Sequence, residues 1–421
     1  MINFLNKFIF KSKNFNYINL SFQKLKKETE VKKIFEAIDN FSEDSEIRYV
    51  GGCVRKIINK EIVDDIDLAV NLNPNEVCDL LKKNNIKFFQ TGLKHGTITA
   101  VINEEKFEIT SLRKDIFTDG RHAKVEFSKD WNEDAKRRDF SINAIYADID
   151  GNLFDPYNGK KDLEEGGVIF VGDAEKRIKE DYLRVLRYIR FFLNYSKKKH
   201  STKVIKIIKK NLSGISKISS ERLLDEFKKL SKSNNFLKLL NDKFCVEMIQ
   251  LIFPQFKNIN ILKKISKKNI YDLDFIILLS LIIIDESDNV NYFLYKFNLS
   301  NKDKKRILFL KNFSSQSTNK KTFSKKSLGK ILYYNEKQFL LDLLSYKKIK
   351  SQKDSKLYLE LINFFKNQKK PVFPIKTSSL MEKFNLSEGK ELGLKLKKIE
   401  EHWVNNGFKI SSEEVNKLMR N

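Results

Sequence analysis

Two aspartates one residue apart, Asp65 and Asp67, follow closely on a Gly51-Gly52-Cys53-Val54-Arg55 segment. Side chains alternate along a strand, so a strand through Asp65-Ile66-Asp67 projects both carboxylates from one face and sends Ile66 and Leu68 to the core. Two neighbouring carboxylates repel unless cations neutralise them, and hard oxygen ligands favour Mg²⁺. The Gly51-Gly52 pair lets the backbone turn tightly, so that the N–H groups opening the next helix face a triphosphate, with Arg55 in that helix's first turn. Alone, a Gly-Gly pair is usually only a turn and an Asp-x-Asp usually solvated surface. In the order strand, Gly-Gly, helix, Asp-x-Asp strand, they supply a phosphate cradle and a metal-binding carboxylate pair, the two parts nucleotidyl transfer needs.

Other elements must bring partners to that pair. Ile47 to Val50 reads as a buried strand ahead of the glycines. Gly92-Leu93-Lys94-His95-Gly96-Thr97 leads into two strand-like runs, Ile98 to Ile102 and Phe107-Glu108-Ile109-Thr110, so that Glu108 offers a third carboxylate from a neighbouring strand. Further on come Arg137-Arg138-Asp139-Phe140-Ser141-Ile142-Asn143-Ala144 and Glu180-Asp181-Tyr182-Leu183-Arg184-Val185-Leu186-Arg187-Tyr188-Ile189-Arg190-Phe191. Glu180 to Arg190 reads as one helix, with Val185, Leu186 and Ile189 on one arc and Asp181, Arg184 and Arg187 on the other; Arg190 falls off the polar arc. Without the upstream motifs, Asp181 and Arg184 would be an ordinary i,i+3 surface ion pair.

In this order and spacing, the segments resemble the class II tRNA nucleotidyltransferases, or CCA-adding enzymes, and their relatives the bacterial poly(A) polymerases, over roughly residues 45 to 230. The resemblance implies that Asp65 and Asp67 bind metal, that Glu108 is the third active-site carboxylate, and that Gly51, Gly52 and Arg55 form the nucleotide-binding turn. It further implies that Arg138, Asp139 and Asn143 hold the sugar and phosphates of the incoming nucleotide, and that Asp181 and Arg184 read its base, with Arg187 and Arg190 in the same nucleotide-binding set. Cytosine and adenine both present an amino donor beside an unprotonated ring nitrogen, which a carboxylate and a guanidinium satisfy; uracil and guanine reverse that pattern. In a two-metal mechanism, one Mg²⁺ activates the RNA 3′-hydroxyl and the other holds the triphosphate and departing pyrophosphate.

The expected activity is addition of C, C and A to tRNA 3′ ends from CTP and ATP without a template. A poly(A) polymerase using ATP alone is the alternative, and an RNA-binding protein whose head has lost catalysis is a third. One departure bears on the last: an Asp usually follows Gly-Gly-x-Val-Arg, but Lys56 stands there. The Gly-x-x-His-Gly-Thr segment and the run Thr118 to Phe127 resemble CCA-adding enzymes of the bacterial and eukaryotic type. Asp115 to Trp131, polar and containing Gly120, reads as a flexible loop whose fullness favours complete CCA addition.

The expected fold is α+β: a nucleotidyltransferase head of mixed β-sheet and helices, residues 28–172, then an all-α neck at 173–260 and an all-α body and tail at 261–421. Residues 1–27, with no acidic side chain, read as a basic extension. Ile218 to Phe227 looks like the neck helix of the family, with a serine N-cap. A polar linker is expected over Ser314 to Lys326, and Pro371 to Pro374 break the helical pattern before Leu380, Leu386, Leu392 and Trp403. The 421 residues carry 81 Lys and Arg against 55 Asp and Glu, a formal charge of +26 that suits a polyanionic partner such as tRNA. Lysine is abundant throughout, so tracts such as Ser196 to His200 are equally ordinary solvated faces. Three scattered cysteines, Cys53, Cys78 and Cys245, form no C-x-x-C, so neither disulfides nor zinc is expected and a cytoplasmic setting follows. The longest apolar run, Phe275 to Ile284, is too short to span a bilayer and reads as a buried helix.

Overall fold

The computed structural model describes residues 17–119, 122–266, 270, 272–314, 323–351 and 353–420. Within the expected basic extension, residues 1–16 lie outside the described residues, as do 315–322 of the expected polar linker. The chain forms two compact units, Met1–Cys245 and Val246–Asn421.

The first unit opens with helix α1 at 17–28 and α2 (Val31–Asp39). Helix α1 is no loose extension: Ile18 and Phe22 are buried, and the Phe22 ring lies 5.0 Å from that of Tyr49. A mixed sheet follows, with strand order β3-β4-β5-β2-β1-β8-β9. Its site-bearing members are β1 (Ile47–Val50), β2 (Ile66–Val70), β4 (Thr97–Ile102) and β5 (Glu105–Ser111). At the edges are β3 (Lys87–Gly92), β8 (Tyr146–Ala147) and β9 (Leu153–Phe154). Among the pairings described, only β2 and β5 run parallel, in a register that sets Asp67 opposite Glu108.

Alternation along β2 and β5 does the positioning. Ile66, Leu68, Phe107 and Ile109 enter a large apolar core with α2, α3 (Gly52–Ile58) and α4 (Pro74–Lys83). Asp67 and Glu108 therefore project from the opposite face, as the period of two requires. That second face carries a smaller core of Val50, Ala69, Trp131, Ala135 and Tyr146, in which α5 (Trp131–Lys136) packs. The stretch expected to be a loop, Asp115 to Trp131, is instead mostly a hairpin: β6 (Arg113–Asp119) pairs antiparallel with β7 (His122–Phe127) as a separate two-stranded sheet. Alternation of Val125 and Phe127 with Lys124, Glu126 and Ser128 is the strand signal, in β7, that a reading on polarity passes over.

Helices take over at α6 (Gly159–Glu165), α7 (Ala174–Glu180), α8 (Leu183–Tyr195), α9 (Thr202–Asn211), α10 (Ser220–Ser231) and α11 (Lys243–Ile252). Glu180 to Arg190 is not one helix. The chain breaks at Asp181, which is extended at φ −152° and ψ 104°, and α8 starts at Leu183. Asp181 Oδ1 accepts from the Leu183 N–H at 3.1 Å just ahead of α8, a local bond that favours Asp outside a helix over a place within one. On α8, Val185, Leu186 and Ile189 are fully buried, as the periodicity requires. A Cβ on Gly159 would lie 2.1 Å from the Ser141 carbonyl oxygen, so only glycine lets α6 approach the turn that carries Asn143.

Among its described residues the second unit contains helices and no strand. The apolar run forms a helix, Phe275–Ile283, buried from Ile276 to Ile283. Residues 368–376 interrupt the helices around Pro371 and Pro374. Beyond them Leu380, Ile399 and Met419 form a small core, while Trp403 stacks edge-on against Tyr333 and Phe373. Among the described residues no helix is long and apolar enough to cross a membrane.

Candidate active site

A cavity of about 620 Å³ in the first unit gathers nearly all the residues singled out by sequence. Gly51 lines it from the turn after β1, Gly52 and Arg55 from the first turn of α3, Asp65 and Asp67 from just before and within the start of β2, and Arg138, Asp139 and Asn143 from the segment after α5. Asp181, Arg184, Arg187 and Arg190 complete it from the α7–α8 break and from α8. Glu108 does not line the cavity; it is exposed beside Asp67 on the adjacent strand.

At the carboxylates, burial first, and then the charges of Asp65 and Glu108, push Asp67 up to about 6, although Arg138 and Arg55 oppose the shift. Three carboxylates crowd together there, a donor set of hard oxygens that suits a divalent cation. Lys56 lies at the flank: its Nζ donates to Asp65 Oδ1 at 3.1 Å and also to Asp64 Oδ1.

Gly51 holds φ +69° and ψ −116°, a conformation side chains rarely adopt. A Cβ on Gly51 would come 3.7 Å from Arg138 Nη1, and one on Gly52 would come 3.7 Å from Asp67 Oδ2. Bare backbone thus keeps a space open between the turn and the carboxylates. Arg55 is buried, donates to Asn143 Oδ1, and lies under the rings of Phe191 and Tyr195 at 4.9 and 5.1 Å. Its Nε is buried and has no hydrogen-bond partner among the described residues.

The remaining arginines are held from behind by acids. Arg137 and Arg138 both bind the buried Asp134, at 2.6 and 3.0 Å, and Arg138 Nε also donates to Tyr146 Oη at 3.0 Å. Burial opposes the Asp134 charge, yet Arg138 and Arg137 hold its carboxyl well below the usual range. Arg187 grips Asp139 Oδ2 through Nε at 2.7 Å and Nη2 at 2.6 Å, while Asn143 donates to Asp139 Oδ1 at 2.8 Å. Burial again works against the charge, but Arg187 and Asn143 bring Asp139 down to about 2. Asp181 and Arg184 are not paired: Arg222 donates to Asp181 Oδ2 at 2.7 Å, and Arg184 reaches Glu180 at 2.9 Å and the Arg137 carbonyl at 3.1 Å. Arg190, off the expected polar arc, nevertheless faces the cavity, because Glu226 draws it there at 2.5 Å.

Sequence reading missed Arg137, Arg222, Lys229 and Phe191 as lining residues, and Asp134, Tyr146 and Glu226 as their supports. The signal for Asp134 was its i,i+3 and i,i+4 spacing to the arginine doublet; Arg222 and Glu226 come from a distant helix. Cys245, seen in sequence as isolated, lies 3.6 Å from His200 Nε2, which is 2.9 Å from Asp242 Oδ2. Tyr188 Oη contacts His200 Nδ1 at 3.0 Å, and Asp242 Oδ1 accepts from the Cys245 N–H at 2.9 Å, so these groups partner one another.

This head has the sheet, glycine turn and carboxylates of a nucleotidyltransferase, and the family model described as the Poly A polymerase head domain matches residues 47–169. Over 386 residues the chain is 32% identical to CCA tRNA nucleotidyltransferase 1, mitochondrial, of Homo sapiens, spanning 89% of this chain and 86% of that protein. It is 39% identical to the CCA-adding enzyme of Lactobacillus johnsonii over 189 residues, 44% of this chain and 46% of that one. The chain belongs to the CCA tRNA nucleotidyltransferases. Its fold is shared with the Bacillus stearothermophilus CCA-adding enzyme solved in complex with CTP, at a TM-score of 0.73 and 21% identity over 92% of this chain and 95% of the other.

Proposed function

We propose that this protein adds C, C and A to the 3′ ends of tRNA, taking CTP and ATP and releasing pyrophosphate without a template. The observation that carries the reading is one cavity in which the Asp65 and Asp67 carboxylates face the Gly51-Gly52 turn and a wall of arginines. Asp65 and Asp67, with Glu108 beside them, would hold Mg²⁺, which supplies activation of the attacking hydroxyl and neutralisation of the leaving phosphates. Arg55 and the N–H groups of the glycine turn bind the triphosphate, and Arg138 and Asn143 orient the sugar and phosphates. These contacts are made by groups already fixed in the protein, so little reorganisation opposes the reaction. Asp181 and Arg184 select the base by offering an acceptor and a donor that fit cytosine and adenine and leave uracil or guanine unpaired.

The neck at 173–260 and the helical body and tail at 261–421 are assigned to tRNA binding, supported by the chain's formal charge of +26. A cytoplasmic setting fits three cysteines that are all free and buried. The test is extension of tRNA transcripts ending before CCA, after C and after CC, with Mg²⁺ and CTP, ATP or both, resolved at single-nucleotide length. Products stopping at CCA support the proposal. Long ATP-only tails would make the enzyme a poly(A) polymerase, and no extension would leave an RNA-binding protein.

A further inference from the structure

The ammonium of Lys56 stands beside the carboxylates proposed to hold metal. Lys56 belongs to α3, one residue after Arg55, and its side chain is only 19% exposed, whereas those of Asp64 and Asp65 are 72% and 70% exposed. A packed stem thus delivers a cation to two solvent-facing carboxylates. Lys56 itself lies outside the lining of the cavity that Asp65 enters, so it reaches Asp65 Oδ1 from the flank, at 3.1 Å. Asp65 therefore carries a counter-charge before any ligand arrives.

We infer that Lys56 is a built-in competitor for the metal at Asp65, keeping the divalent site weak in the empty enzyme until a triphosphate brings further negative charge. The inference rests on the reading of Asp65 and Asp67 as the metal ligands. An ammonium and a divalent cation sharing one carboxylate repel each other. In well-hydrated surroundings with ordinary salt, that repulsion corresponds to about a three- to tenfold loss of affinity. A bound triphosphate offsets the repulsion with its own oxygens, so the loss is concentrated in the nucleotide-free enzyme. Lys56 acts in this way as a positioning and ordering residue, favouring entry of metal together with nucleotide.

The experiment is a Mn²⁺ titration of the full-length protein followed by electron paramagnetic resonance of the free ion, with and without CTP. Lys56→Met keeps the stem and removes the charge, and Lys56→Gln is a second neutral variant; Lys56→Arg keeps the charge. Mn²⁺ binding to the nucleotide-free enzyme is expected to tighten about three- to tenfold in both neutral variants and to stay unchanged in Lys56→Arg, with a smaller difference once CTP is bound. Unchanged or weaker binding in the neutral variants overturns the inference, as does tightening in Lys56→Arg. Asp67→Asn separates the two levels of the argument. If it leaves Mn²⁺ binding intact, the metal assignment itself fails; if it abolishes binding while the neutral variants match the wild type, only the role of Lys56 fails.

Discussion

Asp139→Asn isolates the charge that organises the arginine wall. Asparagine keeps an acceptor for Asn143 and for the Phe140 N–H, which lies 3.0 Å from Asp139 Oδ1, and loses the charge that Arg187 grips. Asp139 is 6% exposed, and it titrates at about 2 against an ordinary 3.8. A difference of nearly two units, at about 1.4 kcal/mol each, means that its ionised form stabilises the fold by roughly 2–3 kcal/mol at neutral pH. That lies at or below the ~3–5 kcal/mol expected on breaking a fully buried pair, because the Arg187 side chain remains 30% exposed and can rehydrate. Since the folded pKa is depressed, the contribution is complete above the unfolded value near 4 and fades as pH falls through about 2. The chain's two tryptophans fall one to each unit, Trp131 and Trp403, so a Trp403→Phe background makes fluorescence report on the first unit alone. Urea unfolding should show Asp139→Asn less stable by about 2–3 kcal/mol at pH 7, with the gap shrinking below about 1 kcal/mol at pH 2.5. A gap that persists unchanged at pH 2.5 would mean that packing, not charge, is what the substitution removed.

Asp67→Asn should reduce nucleotide transfer below detection while tRNA affinity, measured by filter binding, stays within about twofold, since phosphate contacts elsewhere dominate that affinity; surviving turnover would refute the metal assignment. Asp181→Ala should relax the choice of base, raising UTP and GTP incorporation relative to CTP and ATP by about tenfold or more, as expected when a buried polar contact is lost. Single-turnover incorporation with each triphosphate checks this, and unchanged rejection of UTP and GTP counts against the base-reading role. Gly51→Ala must place a side chain at φ +69°, costing about 1–3 kcal/mol of strain. Calorimetric CTP binding should weaken correspondingly, and retention of wild-type affinity would show that the turn does not need its present conformation.

Much of the site was legible because its signals are local. The period of two in Asp65-Ile66-Asp67-Leu68 sent Leu68 to full burial and Asp67 to the other face, and the β2–β5 register then placed Glu108 where the strand pattern put it. The misreadings are equally physical. Helical periodicity continues across Asp181, so the break there is visible only through local side-chain bonding: a short polar side chain satisfies the Leu183 N–H better outside a helix than within one. The 115–131 stretch reads as a loop on polarity, although strands on a separate two-stranded sheet need little apolar content. Partners contributed from far along the chain, Arg222 to Asp181 and Glu226 to Arg190, leave no periodic trace at either end. The i,i+3 ion pair of Asp181 with Arg184, the ordinary alternative to a base-reading role, does not form: Arg222 binds Asp181 and Glu180 binds Arg184.

The cavity lining includes eight cationic side chains and four carboxylates, an excess that would repel itself apart if each guanidinium were free. Arg137, Arg138, Arg184, Arg187, Arg190 and Arg222 are each tied to an acid. Such ties leave the other N–H groups of each planar fork for a ligand and hold the fork in one orientation. Arg55 differs. Among the described residues no carboxylate lies within ion-pair distance of it; an amide oxygen and two aromatic faces hold it instead, and its Nε is unpartnered. Its charge is thus the least compensated among the cavity's arginines, and the anion it meets should gain most from it. Arg55→Lys keeps the charge and removes the fork, so CTP affinity should fall about ten- to a hundredfold, matching the ~1.5–3 kcal/mol typical of a hydrogen bond to a charged group. Arg190→Lys, which disturbs a guanidinium already paired with Glu226, should cost clearly less. Equal losses in the two variants, measured by CTP titration, would show that acid pairing does not rank these arginines and that their distance from the triphosphate does.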